Sequence, residues 1–411
     1  MREILFLSHR IPFPPNRGDK IRSHHILKRL ARIAPVHVGT FADDESDMAE
    51  EVELATLARS YRLVRRTKPL ILAGVQALAS REPVCLPAFH DPALAAYVEE
   101  VLAKHPISTI YIFSGQMGQY IPDDFAGRVV ADFVDVDSAK FQAYAAKHRG
   151  MKRWIYAREA ELLRAVEARL AGRAEISLLI SQAEAELFAA RLSPEERQKA
   201  DIRVLGNGID SVLFDPVMVD AEPQLLDFEP GRLIFTGQMD YPPNVEAAIR
   251  VADRILPLIR DRIPAASFHV VGRRPADALL ERHGVNGCHV WGRVEDIRPW
   301  LKAADLAMVP LDVARGVQNK VLEAMSMGKP VVLTSGAATG IDGVSGQHFA
   351  IADSDEALAE AAVDLLTDGR RARIKGLAAR RFVVENSSWQ HALAPLFEIV
   401  GWTGRAALDA A

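Results

Sequence analysis

The sequence predicts an α/β protein built from two Rossmann-like, doubly wound halves, each a parallel sheet covered by helices. Short apolar, β-branched runs alternate with helical stretches along nearly the whole chain, the pattern of βαβ units. The alternation stops once, in a segment rich in Asp, Pro and Gly at 207–231, and then restarts. The chain has 411 residues, more than one core organises at roughly 150 residues per domain.

In order, the first half offers strands at EILFLSH (3–9), VHVGTFA (36–42), YRLV (61–64), TIYIFS (109–114), RVVADFVD (128–135) and ISLLIS (176–181). These are near-continuous apolar runs, as expected of strands buried on both faces. The segment 207–231 reads as a linker, so the first domain is taken as 1–206. Strands then recur at RLIFTG (232–237), SFHVVG (267–272), HVWG (289–292), LAMVPL (306–311) and PVVLTS (330–335), with NVEAAIRVADRILPLI (244–259) as one of the helices between them. After Ser354 the pattern is helical to the end, including SWQHALAPLFEIVGW (388–402). Ligands settle at strand carboxyl ends in such folds, so a cleft between the halves is the expected site.

Composition excludes more than it assigns. Hydrophobic residues at 49%, charged residues at 25% and a formal charge of −4 describe a globular protein, not a dedicated nucleic-acid binder or a disordered chain. Cys85 and Cys288 lie far apart, with no disulfide framework and no C-x-x-C signature, which suits a reducing cytoplasm. The opening MREILFLSHRIPFPP holds only four consecutive apolar residues, ILFL, too few for a signal peptide or a membrane span. His24, His25 and His37 have no metal-ligand partner at recognisable spacing and read as structural.

The densest chemistry lies in RGVQNKVLEAMSMGKPVVLTS (315–335). On a helix over 318–327, Asn319, Lys320 and Glu323 share one face, while Val321, Leu322, Ala324, Met325 and Met327 are apolar. Gly316 allows close approach of a ligand to the helix N-terminus, where free N–H groups favour phosphate. Lys320 would add a point charge there, and Glu323 would accept from sugar hydroxyls. An internal Lys320–Glu323 ion pair on a partly exposed helix explains the same residues equally well.

In the first half, SHRIPFPPNRGDK runs from the first strand into a helix beginning near Asp19, with Gly18 at the junction. Gly18 could bring backbone N–H groups to a diphosphate, although a rigid strand-to-helix turn is the simpler reading. No G-x-G-x-x-G occurs there, which argues against dinucleotide binding. DFVDVDSAKF places Asp135, Asp137 and Ser138 at the carboxyl edge of the first sheet; Asp137 or Ser138 could equally cap the next helix. From Lys140 to Arg173 there are nine Lys/Arg against three Glu, with Trp154, Ile155 and Tyr156 interleaved. That pattern suits an anionic membrane surface, or an ordinary solvated helix face.

VLEAMSMGKPVV between two apolar strands resembles the donor segment of the large group 1 family of retaining glycosyltransferases with the GT-B fold. VVGRRP (270–275), GNGID (206–210) and IFTGQMDYPPN (234–244) match that family in order. SHRIPFPPNRGDKIRSHHILKRL, DFVDVDSAKF and GVQNKVLEAMSMGKPVV are similar, within it, to the sugar transferases that accompany PEP-CTERM/exosortase exopolysaccharide systems.

The resemblance implies two facing domains, an acceptor domain at 1–206 and a nucleotide-sugar donor domain at 207–385, with a terminal helix at 386–411 returning to the first. It implies sugar transfer from a nucleotide diphosphate to a hydroxyl of a lipid-linked glycan, with retention, no cofactor and no metal. From the cysteine content the expected setting is cytoplasmic, and the basic run adds peripheral contact with anionic lipid at the inner membrane face as a further expectation. Donor contacts would come from Gly18, Gly237, Arg273, Gly316 and Val317, with Asn319, Lys320 and Glu323, the last on the ribose. Asp135 falls about where relatives carry a histidine near the reacting sugar, which places it with Arg315 and Lys320 as catalytic. Asp19, Asp137 and Ser138 fall on the acceptor side.

Two departures stand out. Arg315 occupies the position eight residues before Glu323 where the family has a second glutamate. GQMDYPPN lacks the Arg and Lys that clamp the diphosphate after the first strand of the second domain, leaving Lys320, Arg315 and Arg273 or Arg274 as substitutes. An epimerase acting on the donor alone, or a subunit without turnover in a biosynthetic complex, would keep the same nucleotide site.

Overall fold

The computed structural model describes residues 2–312 and 317–402. The chain forms two compact units, Met1–Asn207 with Leu393–Ala411, and Gly208–Ala392.

The first unit holds a seven-stranded parallel sheet: β1 (Glu3–Ser8), β2 (Val36–Ala42), β3 (Ser60–Arg65), β4 (Ile107–Phe113), β5 (Arg128–Val134), β6 (Ile176–Leu179) and β7 (Ile202–Val204), in the order β3-β2-β1-β4-β5-β6-β7. The second holds a six-stranded parallel sheet: β8 (Arg232–Thr236), β9 (Ser267–Val271), β10 (Cys288–Gly292), β11 (Leu306–Val309), β12 (Val331–Leu333) and β13 (Ala350–Ile351), in the order β10-β9-β8-β11-β12-β13. Every residue of β1 and β2 is buried, which is why they read as unbroken apolar runs. Strand order reverses between β1 and β4 and again between β8 and β11. These two switch points are where such sheets open a crevice at their carboxyl ends.

A buried ion pair anchors the first unit. Arg22, on helix Gly18–Ile33, donates to Asp132 of β5 through Nε (3.2 Å) and Nη2 (2.9 Å), and Tyr111 Oη donates to the same carboxylate at 2.9 Å. The first aspartate of the DFVDVD motif is therefore core. Burial raises its pKa, and the charge of Arg22 opposes that rise.

Three sequence expectations need correction. β7 and β13, of three and two residues, are too short to give a period and were not foreseen. The segment 207–231 is not a free linker: Leu225, in the short helix Pro223–Leu226, is fully buried, and Ile209 bridges to Ser388. Arg380 holds the segment as well, donating to Asp215 Oδ2 at 2.6 Å. The stretch 388–402 is two short helices, Trp389–Ala392 and Leu396–Ile399, because Pro395 between them has no N–H to continue the first. Leu396, Ile399 and Val400 are buried in the first unit, where Thr109 Oγ1 donates to the Val400 carbonyl at 3.1 Å. Both cysteines are free thiols.

Candidate functional site

The switch point of the second sheet gathers the chemistry. Helix Asn319–Ser326 follows β11 and buries Val321, Leu322, Ala324 and Met325, which fixes Lys320 and Glu323 on its remaining face. Its N-cap, Gln318, places no side chain on the first N–H groups, so that end keeps its anion-binding capacity. Lys320 Nζ donates to Asn244 Oδ1 at 2.6 Å and sits 4.3 Å from the centre of the Phe235 ring in β8, a cation–π contact.

Gly237, just after β8, lies against Lys320 and Asn244. A Cβ there would lie 3.0 Å from both Lys320 Nζ and Asn244 Nδ2, and its φ of +152° belongs to glycine. Asn244 Nδ2 donates to the Gln238 carbonyl at 2.9 Å, and Arg273 Nη2 to Gln238 Oε1 at 3.0 Å. The loops after β8 and β9 touch so closely that a Cβ on Gly272 would lie 1.7 Å from the Gly237 carbonyl oxygen.

Electrostatically the site is short of a partner. Burial lowers the Lys320 pKa to about 8, with Glu323 opposing, and raises the Glu323 pKa to about 7, with Lys320 opposing. The two make no direct ion pair within 4 Å, and among the described residues nothing hydrogen-bonds the Glu323 carboxylate. The simple internal ion pair is thus not formed. What the arrangement offers is an ammonium and helix N–H groups for an anion, beside a carboxylate free to accept from hydroxyls.

Of the other expected donor residues, Asn319 and Val317 are exposed, and Val317 lies against Gly340, where a Cβ would approach it to 3.0 Å. Arg273 and Arg274 are exposed; Arg274 lies 3.5 Å from Asp240. Arg315 and Gly316 lie outside the described residues. Sequence reasoning missed Asn244 and Phe235. Asn244 stood in the quoted YPPN, where it looks like an ordinary helix-start residue; Phe235 looks like any strand core. Lys329 of the same motif is structural: its Nζ donates to the carbonyls of Lys302 (2.6 Å) and Ala304 (2.8 Å), closing helix Arg298–Ala303.

In the first unit the candidates are engaged by protein partners. Gly18 is exposed at the start of its helix. Asp19 pairs with Arg10 (2.7 Å), Arg17 (3.4 Å) and His9 (3.5 Å), and these partners hold its pKa far below the usual range although burial raises it. Asp135 and Asp137 share Lys140, at 2.9 and 3.1 Å. Ser138 is fully buried, its hydroxyl bound to Glu167 and accepting from Arg191 Nε at 2.9 Å. Neither Asp137 nor Ser138 caps helix Asp137–Lys147. Carboxylates from elsewhere serve its N-terminus, Glu184 accepting from the Val136 N–H (2.8 Å) and Glu167 from the Ser138 N–H (2.9 Å).

Residues 230–368 match the family described as "Glycosyl transferases group 1", a span that includes β8, Asn244, Lys320 and Glu323. Over 94% of this chain and 96% of the relative, the sequence is 26% identical to a GDP-mannose-dependent alpha-(1-6)-phosphatidylinositol monomannoside mannosyltransferase of Mycolicibacterium smegmatis. In solved structures, the chain is similar to sucrose-phosphate synthase from Thermosynechococcus elongatus (TM-score 0.62, 15% identity, 100% of both chains). It is also similar to HepE of Anabaena in complex with UDP and glucose (TM-score 0.61, 16% identity, 98% of this chain and 100% of that one). These likenesses identify the fold as GT-B.

Proposed function

We propose that this chain is a nucleotide-sugar glycosyltransferase, as the group 1 match over residues 230–368 supports, and that the Lys320–Glu323 face of helix Asn319–Ser326 holds the nucleotide-diphosphate end of its sugar donor. The observation that carries this is the pair of charges at the β8/β11 switch point. They are perturbed by burial, yet neither satisfies the other within ion-pair distance. Lys320 and the helix N-terminus take the diphosphate; Glu323 takes the ribose hydroxyls. Arg315 and Gly316, with Val317 and Asn319, are assigned to the approach to the phosphates, and Arg273, which donates to Gln238 Oε1, is a further cation.

In the reaction the bond between the anomeric carbon and the diphosphate oxygen breaks, and an acceptor hydroxyl oxygen bonds to that carbon. The leaving diphosphate gains negative charge, which the cations Lys320 and Arg315 are assigned to stabilise. Asp135 orients the acceptor hydroxyl and takes its proton, its own position held by Lys140. The configuration is retained, and the cations do the work that a metal does elsewhere.

The acceptor is assigned as a lipid-linked exopolysaccharide precursor. Supporting this, helix Leu70–Ser80 exposes Leu70, Ile71, Leu72, Val75 and Leu78, with Ile71 84% exposed. Arg158 of helix Gly150–Arg173 donates to the Ala77 carbonyl at 2.7 Å; one to two turns earlier Trp154, Ile155 and Met151 are exposed, with Lys147, Arg149, Lys152 and Arg153 next to them in sequence. Exposed apolar side chains with cations close by in sequence suit the surface of an anionic bilayer. No described helix is long and apolar enough to cross a membrane.

The test is a donor panel with GDP- and UDP-sugars, including GDP-mannose. One donor should be turned over, and Lys320→Met should lose that turnover by at least ~10²-fold, the scale of removing one transition-state charge contact. Unchanged turnover in Lys320→Met refutes the assignment.

A further inference from the structure

The carboxyl edge of the first sheet carries Asp135; its amino edge carries a different cluster. Glu3 opens β1, His37 is the second residue of β2, and His105 stands two residues before β4. Parallel pairing aligns these ends, with Leu5 opposite His37 and Glu3 opposite Ile107. Spacing along the sequence could not reveal the cluster, because only the sheet brings it together.

We infer that Glu3, His37 and His105 form a binding site for a divalent cation of the zinc type, which ties the amino ends of β1, β2 and β4 together. Both imidazoles converge on one carboxylate oxygen: His37 Nε2 lies 2.7 Å and His105 Nδ1 3.1 Å from Glu3 Oε2. All three donor atoms lie within 4.8 Å of one another. The other oxygen, Oε1, faces Arg59 at 3.5 Å, so the guanidinium leaves Oε2 to the imidazoles. A tetrahedral ion with bonds of about 2.0–2.1 Å needs donors roughly 3.3 Å apart. The two contacts to Glu3 Oε2 would open by roughly 0.2–0.6 Å, and any imidazole proton facing the carboxylate would move to the other ring nitrogen so that each ring offers a lone pair to the metal.

The surroundings are those of a ligand set. His37 is fully buried, and its Nδ1 lies 2.7 Å from Ser60 Oγ, which lies 2.7 Å from Tyr97 Oη. Such an outer hydrogen bond fixes the ring and the nitrogen that faces a metal. His105 has 29% of its side chain exposed, which gives an entry path and room for water as a fourth ligand. Two imidazoles and one carboxylate favour Zn(II) or Co(II) over Mg(II), which prefers oxygen alone.

The experiment uses the full chain, stripped with a chelator and titrated with Zn(II) against a chromophoric competitor, and in parallel with Co(II) by visible absorption. One equivalent should bind with a raised Tm, and Co(II) should give tetrahedral d–d bands. His105→Ala, which alters a half-exposed side chain, should lower affinity by more than ~10-fold, and Ser60→Ala should weaken binding about 10-fold while leaving every ligand in place. Mg(II) should change nothing. Absence of stoichiometric Zn(II) binding, or binding unchanged in His105→Ala, would overturn the inference and leave the cluster as a proton-sharing network.

Discussion

Replacing Glu323 by Gln should make the ligand-free protein more stable while it weakens nucleotide binding. Burial lifts the Glu323 pKa from an ordinary 4.5 to about 7, so the folded state holds its proton more tightly than the unfolded one. The sign follows: this group favours folding below pH ~4.5, that contribution is lost as pH rises to about 7, and above pH 7 the ionised carboxylate is a net cost. A shift of this size corresponds to ~3 kcal/mol at 1.36 kcal/mol per unit, an upper bound for a half-buried group. The attraction of Lys320 is already contained in that shift, so only the discount for solvent screening applies, and a net gain of ~1–2 kcal/mol is expected at pH 8. For the 185-residue second unit this raises Tm by about 2–8 °C. At pH 4.5 the two proteins should melt together. Nucleotide affinity should fall by ~10–100-fold, the worth of hydrogen bonds to a charged acceptor. Thermal melts across pH 4.5–8.5 and calorimetric titration with GDP and UDP measure both. A Glu323→Gln protein less stable than wild type at pH 8 would refute the reasoning, because the carboxylate would then be satisfied within the fold.

Asp132→Ala leaves the Arg22 charge buried without its partner and should destabilise the first unit by ~3–5 kcal/mol in urea unfolding; a loss below ~1 kcal/mol would contradict the anchoring role. Gly272→Ala forces the loops after β8 and β9 apart at a cost of ~1–3 kcal/mol and should weaken nucleotide binding in titration; unchanged affinity would show that the Gly237 loop does not shape the site. The double variant Ile71→Asp, Val75→Asp should lose sedimentation with anionic vesicles while keeping its melting temperature, since both side chains face solvent; undiminished sedimentation would remove that face from the membrane reading.

Much of the fold was legible because central parallel strands are buried on both faces. The runs ILFL and VHVGTFA can hardly be anything else at that length. β7 and β13 escaped notice because two or three partly exposed residues carry neither a period nor an apolar run. The 207–231 segment misled because its Pro, Gly and Asp describe the backbone, while its packing depends on residues as distant as Arg380 and Trp389. At the candidate site, helical spacing sufficed to place Lys320 and Glu323 on one face, though not to say what that face binds. Their partners Asn244 and Phe235 were not legible, since they arrive from β8 and the helix after it. Sequence proximity also overstated Ser138, which the fold turns inward to Glu167, and understated His37, whose neighbours lie on other strands.

The most direct measurement is a structure of the full chain with its nucleoside diphosphate. The account predicts a diphosphate oxygen within ~3 Å of Lys320 Nζ, at the N-terminus of helix Asn319–Ser326, and ribose hydroxyls on the Glu323 carboxylate. A nucleotide bound away from the β8/β11 switch point, with Lys320 still on Asn244 and Glu323 untouched, would contradict it.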